Sequence, residues 1–224
     1  MVPGLAVAFP VSIGIALVVG VVLSYALQPK GNAGLLAAGV ACALIAVIMD
    51  GKAYGSLARA ERAISRKSLI VCVISGILMG LWAPFMTNAM TRGNPLGPYS
   101  GAVFLTLGAL LSCFIWNVYF MKHPLVGSPV GFGGFFQAPA SAHMLGLLGG
   151  AVWGVGTVFN LVAASFTGVA ISYAIGQSAP MVAALWGIFA WKEFAGAGTR
   201  AKTFVILMFV FYGLAIVLVA RSYG

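Results

Sequence analysis

The sequence predicts an all-α polytopic membrane protein, on three observations. Hydrophobic residues make up 62% of the 224 residues and charged residues only 7%, a balance that a water-soluble domain of this size does not have. The apolar residues gather in seven runs, each close to or above the roughly 20 residues a helix needs to cross a bilayer. The runs are continuous rather than alternating, so helices that satisfy their own backbone hydrogen bonds are expected and a barrel is not.

The first span is expected at about 3–27. It has no basic leader and is too long for a signal-peptide core. The turn Gln28-Pro29-Lys30-Gly31-Asn32 leads into the second span, 33–51. A basic stretch with Lys52, Arg59, Arg62, Arg66 and Lys67 precedes the third span, 68–90, which carries the small-residue pair Gly76 and Gly80. Thr91-Arg92-Gly93-Asn94-Pro95 breaks the chain before the fourth span, 99–121. A loop rich in Gly, Pro and Phe covers 122–142, and His143 opens the fifth span, 143–165, as an interfacial residue or a proton relay. A tight hairpin at Phe166-Thr167-Gly168 gives the sixth, 168–191. Lys192, Glu193, Arg200 and Lys202 lead to the seventh, 202–221.

The formal net charge is +9, from 12 Lys plus Arg against 3 acids. Nucleic acid is excluded as the reason, because the basic residues do not interleave with aromatics on a polar face. They sort by loop instead. The second-to-third, fourth-to-fifth and sixth-to-seventh connections hold nine of them, against Lys30, Arg92 and Arg221 on the other side. The basic set is expected in the cytoplasm. Cys42, Cys72 and Cys113 lie in three different spans with no metal-ligand spacing.

The chain also carries a faint internal echo. Gly4-Leu-Ala-Val-Ala-Phe9 is matched in character by Gly168-Val-Ala-Ile-Ser-Tyr173, and Lys52-Ala-Tyr-Gly55 by Arg221-Ser-Tyr-Gly224. The first span then pairs with the sixth and the second with the seventh. Spans three to seven form a complete five-helix repeat, residues 68–224. Residues 1–55 form the last two helices of an earlier repeat, and 56–67 a basic cytoplasmic linker. The offset places about 97 further residues and three helices ahead of Met1, for ten helices in two inverted repeats of five, an arrangement typical of secondary transporters.

Three segments carry a resemblance. Gly168 to Phe194, reading GVAISYAIGQSAPMVAALWGIFAWKEF, resembles the ninth helix of the ureide permease group. Leu147 to Asn160, LLGGAVWGVGTVFN, resembles its eighth helix, and Gly4 to Gly14, GLAVAFPVSIG, is similar to its fourth. The group lies beside the bacterial glucose/ribose porters in the drug/metabolite transporter superfamily. The resemblance implies ten helices and uptake of small polar solutes, driven by protons or sodium; this chain departs from the pattern by lacking three helices. It also implies a multi-pass protein of a bacterial inner (plasma) membrane.

Polar side chains inside hydrocarbon either join helices or line a wet cavity. The expected substrate-binding residues are Gln177, Asn160, Asn117, Trp153, Trp82, Tyr173 and Ser178: amides and hydroxyls that donate and accept, and aromatic faces that stack on a planar or sugar ring. Gln177 stands out, because Gly176 and Pro180 loosen the helix around it, and irregular backbone at membrane depth is kept where it lines a cavity. For Gln177, Asn160 and Asn117 an interhelical hydrogen bond without ligand is the competing reading. Trp116, Trp186 and Trp191, nearer span ends, read as an aromatic belt. Pro10, Pro84 and Pro180 each remove a helix hydrogen bond and read as hinges or plain kinks. Asp50 and Glu193 are expected at span ends.

The set suits a neutral sugar, ureide or nucleobase-like solute carried by alternating access. Export of amphipathic compounds and an inactive truncated remnant are the alternatives. A polytopic enzyme is disfavoured, since two histidines and three acids show no paired motif. The expected partners are a small-molecule substrate and the lipid bilayer; no cofactor, metal or oligomeric state is assigned.

Overall fold

The computed structural model describes residues 5–57, 66–124 and 128–223, the side chains of 5–10 and 66–68 excepted. The described residues form nine helices and no strand: α1 (Leu5–Leu27), α2 (Ala33–Leu57), α3 (Arg66–Thr91), α4 (Pro98–Lys122), α5 (Phe132–Phe136), α6 (Ala140–Thr167), α7 (Val169–Gly176), α8 (Ala179–Phe189) and α9 (Thr199–Tyr223). Six segments among them are long and apolar enough to cross a membrane, with α7 and α8 counted as one. The 23-residue α1 is apolar and uncharged throughout its sequence. The protein is a multi-pass, all-helical membrane protein.

Three features differ from the expected spans. The second span runs to Leu57 rather than 51, which moves Lys52 into the helix and leaves Asp50 buried within it rather than at its end. The sixth is broken into α7 and α8 at Gln177 and Ser178. The fourth-to-fifth loop contains the one-turn α5. Arg59, Arg62 and most of the 56–67 linker lie outside the described residues.

Two helix pairs run antiparallel and organise the core. At one end of the α2–α9 pair the Asn32 amide donates to the Ser222 carbonyl at 2.6 Å; at the other, Ala53 packs with Ala201 and Phe204. In the second pair, Lys30 just after α1 reaches the Phe166 carbonyl just before α7, while Tyr173 of α7 reaches back to the Ala16 carbonyl. Glycine sets the closest approaches. Gly76 and Gly80 of α3 lie against Ser12, Ile15, Ala16 and Val19 of α1 so tightly that a methyl group would not fit, as small-residue spacing allows in membranes. Ser12 Oγ donates to the Cys72 carbonyl at 3.0 Å across the same contact.

Leu17, Val21, Leu36, Leu161 and Ile171 join α1, α2, α6 and α7 into the largest buried cluster. Outside it, α4 exposes Phe104, Leu107, Leu111, Phe114 and Ile115. Lipid tails are as apolar as these side chains, so this surface carries no penalty in a bilayer.

Candidate functional site: a cavity against a broken helix

The break between α7 and α8 has a local cause. Pro180 has no N–H to give to the Gly176 carbonyl four residues earlier. Around it the backbone tightens to three-residue spacing: Ser178 N donates to the Ile175 carbonyl at 2.9 Å and Met181 N to the Ser178 carbonyl at 2.9 Å. Gln177 therefore projects from the junction of two half-helices instead of from one continuous face.

A cavity of about 700 Å3 opens against this junction. Six residues singled out in the sequence meet in its wall: Trp82 from α3, Trp153 and Asn160 from α6, Tyr173 from α7, and Gln177 and Pro180 at the break. Among the described residues no charged side chain lines it. Thr157 adds a hydroxyl to the remainder of the wall, which is apolar and includes Ile13, Met79 and Leu105.

Each polar group has a distinct position. Gln177 is 8% exposed, and among the described residues nothing hydrogen-bonds its side chain. Its amide offers a donor pair and an acceptor to whatever enters. Asn160 and Ser172 clamp α6 to α7 reciprocally: Asn160 Nδ2 donates to the Ser172 carbonyl at 3.0 Å, and Ser172 Oγ donates to the Asn160 carbonyl at 2.7 Å. Asn160 therefore both joins helices and lines the cavity, keeping Oδ1 for a further partner. Tyr173 stands between the walls. Its hydroxyl donates to Ala16 and Met79 carbonyls at 3.3 and 3.4 Å, its ring lies on the bare backbone of Gly20, and Trp82 packs on it with centroids 5.5 Å apart and a 31° tilt.

The remaining sequence candidates lie elsewhere. Asn117 is exposed on α4, away from the cavity wall. Ser178 is buried in the break without lining the cavity. Pro84 is buried inside α3, which continues through it. Pro10 falls in the first turns of α1, where side chains are not described. Trp116 is exposed and stacks on Phe120; Trp186 and Trp191 are also exposed. Sequence reasoning passed over Thr157, which lines the cavity, and Ser172. A small hydroxyl in a long apolar run was the available signal for both.

Fold and cavity together define a multi-pass helical membrane protein whose uncharged polar residues converge on a discontinuous helix. A family model described as Ureide permease matches residues 64–222, and the chain belongs to that family. It is similar to Ureide permease 1 of Arabidopsis thaliana, with 23% identity over 164 residues, and to Ureide permease 5 of the same plant, with 24% over 170. Transmembrane protein 144 homolog B of Dictyostelium discoideum is 27% identical over 163 residues. These alignments take in 69–70% of this chain but only 40–42% of each relative, so the chain spans well under half the length of the curated relatives it matches. No solved structure matches it.

Proposed function

We propose that the chain is the substrate-handling part of a secondary active transporter, not an enzyme, and that the solute is small, polar and neutral, a ureide, nucleobase-like compound or sugar. The carrying observation is Gln177: among the described residues nothing hydrogen-bonds its side chain, and no charged side chain lines the cavity it borders. Its amide borders the cavity and offers a donor pair and an acceptor, so a hydrogen-bonding guest has a place to bind. Trp82, Tyr173 and Trp153 supply flat faces for such a guest. The names of the two plant relatives support a ureide within this class.

Alternating access between inverted repeats is part of the same proposal. The antiparallel pairing of α1 with α7 and of α2 with α9 supports it, since these are the segments that echo each other in sequence. Seven spanning helices with basic loops in the cytoplasm, in a bacterial inner membrane, complete the reading; the relatives named above come from a plant and a social amoeba and support the multi-pass character only. The largely apolar remainder of the cavity wall favours export of amphipathic compounds as the second reading.

Uptake by the full-length form in proteoliposomes separates them, with radiolabelled allantoin, uracil, glucose and ribose as probes. At least one probe accumulates in the wild type, and Gln177→Ala weakens its half-saturation concentration about tenfold, the loss of one buried hydrogen bond. Uptake unchanged by Gln177→Ala would remove the site.

A further inference from the structure

The chain has three acidic residues, Asp50, Glu61 and Glu193. Asp50 is the one within a described helix, and it is 7% exposed. Among the described residues neither a cation nor a hydrogen-bond donor pairs with its carboxylate. Across the α2–α9 contact Tyr212, fully buried, packs with Ala46 and Val47 of α2, and among the described residues its hydroxyl has no hydrogen-bond partner. One turn along α2 from Asp50, Tyr54 donates from its hydroxyl to Glu193 Oε2 at 2.9 Å. The nearby cations point elsewhere. Lys52 is exposed with its ammonium over the Phe204 ring, and Arg200 lies over the same ring. Lys192 and Lys202 are exposed. Among the described residues, buried Asp50 and Tyr212 and, nearer the surface, Tyr54 and the exposed Glu193 form a group with which no cation pairs.

An ionisable side chain within a membrane span is costly unless a partner, an ion or a proton neutralises it. A metal ion is a poor fit. The described residues hold no cluster of three His, Cys, Asp or Glu side chains, and the carbonyls of α2 and α9 are engaged in their own helices. A proton needs one oxygen and no cage.

The same group is mechanically tied to the cavity. Helix α8 presents Ala179, Pro180 and Ala183 to the cavity. Its Ala184 packs with Tyr212, and its Gly187 lies against the Glu193 carboxylate and the Tyr54 hydroxyl, so closely that a methyl group there would meet both. The break at Gln177 and Ser178 separates the cavity end of α8 from α7.

We propose that Asp50 is a proton-binding site, with Tyr212, Tyr54 and Glu193 as its surroundings, and that its charge state sets the position of α8 and hence the shape of the cavity. The carboxylate takes a proton from water to become the neutral acid and returns it to water; no other bond changes. The proposal rests on the transport reading for the cavity's role, and supplies the ion that would drive it.

Two measurements on the purified full-length chain in lipid nanodiscs test it without any solute. Infrared difference spectra through an acid–base titration show a carboxylic-acid carbonyl band that disappears in Asp50→Asn and persists in Glu193→Gln. Hydrogen exchange of the peptide 177–194, corrected for intrinsic rates, changes at least about threefold with the same midpoint, because local opening follows the charge; in Asp50→Asn it is flat. Gly187→Ala keeps the band and loses the exchange response, and this variant decides the linkage if Asp50→Asn fails to fold. A band that survives Asp50→Asn, an exchange response unchanged by Gly187→Ala, or a response that follows sodium and not pH would overturn the proposal. Intact band and linkage with none of the four solutes transported would remove the transport reading and leave the proton site standing.

Discussion

At the scale of single residues, the cavity wall separates side chains that hold the fold from one that waits for a guest. Asn160 and Ser172 each donate to the other's backbone carbonyl, so both serve the α6–α7 contact. Gln177 serves none. The consequence is a difference in stability that no uptake assay is needed to see. Asn160→Ala and Ser172→Ala each lower the unfolding free energy by about 0.6 kcal/mol, the usual worth of a polar contact between membrane helices. The double variant loses less than the sum, because the two bonds restrain one contact. Gln177→Ala leaves the melting temperature in place. Thermal unfolding of the four variants and the wild type in one detergent checks this; a melting temperature lowered by Gln177→Ala as far as by Asn160→Ala would mean that its amide has a structural partner. The sequence made the chemistry of these residues legible, since an amide stands out in an apolar run. It did not distinguish Asn160 from Asn117, which has the same side chain but is exposed on α4. A helix that is apolar on every side gives no phase from which to read an inward face.

At the scale of elements, glycines decide where helices touch. Gly80 meets α1 so closely that an added Cβ would lie 2.8 Å from Val19 Cβ and 3.0 Å from the Ala16 carbonyl. Gly149 of α6 has nothing within 4 Å. Gly80→Val therefore destabilises by about 1–3 kcal/mol, the range for overpacking a tight contact, and Gly149→Val is tolerated. Equal damage from both in a thermal-stability assay would refute the packing of α3 on α1. The two glycines belong to runs that look alike in sequence, Gly76 with Gly80 and Gly149 with Gly150, and only the partner helix tells them apart. The break in the sixth span was legible for the opposite reason: Gly176 and Pro180 act on their own backbone, with no tertiary partner required. Asp50 shows the limit of hydropathy. A span drawn from apolar residues stops at the first charge, whereas the backbone of α2 continues for two further turns and carries that charge inside.

At the scale of the whole molecule, spans were readable from length and composition, while their neighbours were not. Lateral order depends on close approaches between residues far apart in sequence, such as Tyr173 with Ala16, and no local pattern encodes them. The loop charges nevertheless agree with contacts that the charges alone could not supply. The Tyr54–Glu193 hydrogen bond brings the end of α2 and the α8–α9 connection to one face. The Asn32–Ser222 and Lys30–Phe166 contacts bring the α1–α2 turn, the α6–α7 hairpin and the end of α9 to the other. These are the two loop sets that differ in basic residues, so the basic face is expected in the cytoplasm. Membranes carrying the chain with Cys42, Cys72 and Cys113 changed to Ala, and one new cysteine at Ala195 or Asn94, give the test. Both positions are exposed, in the α8–α9 connection and the α3–α4 loop. An impermeant thiol reagent added outside labels Asn94→Cys and reaches Ala195→Cys only after the membrane is opened. Labelling of both from outside would break the alternation of spans on which the antiparallel pairing depends, and the reverse pattern would place the basic face outside.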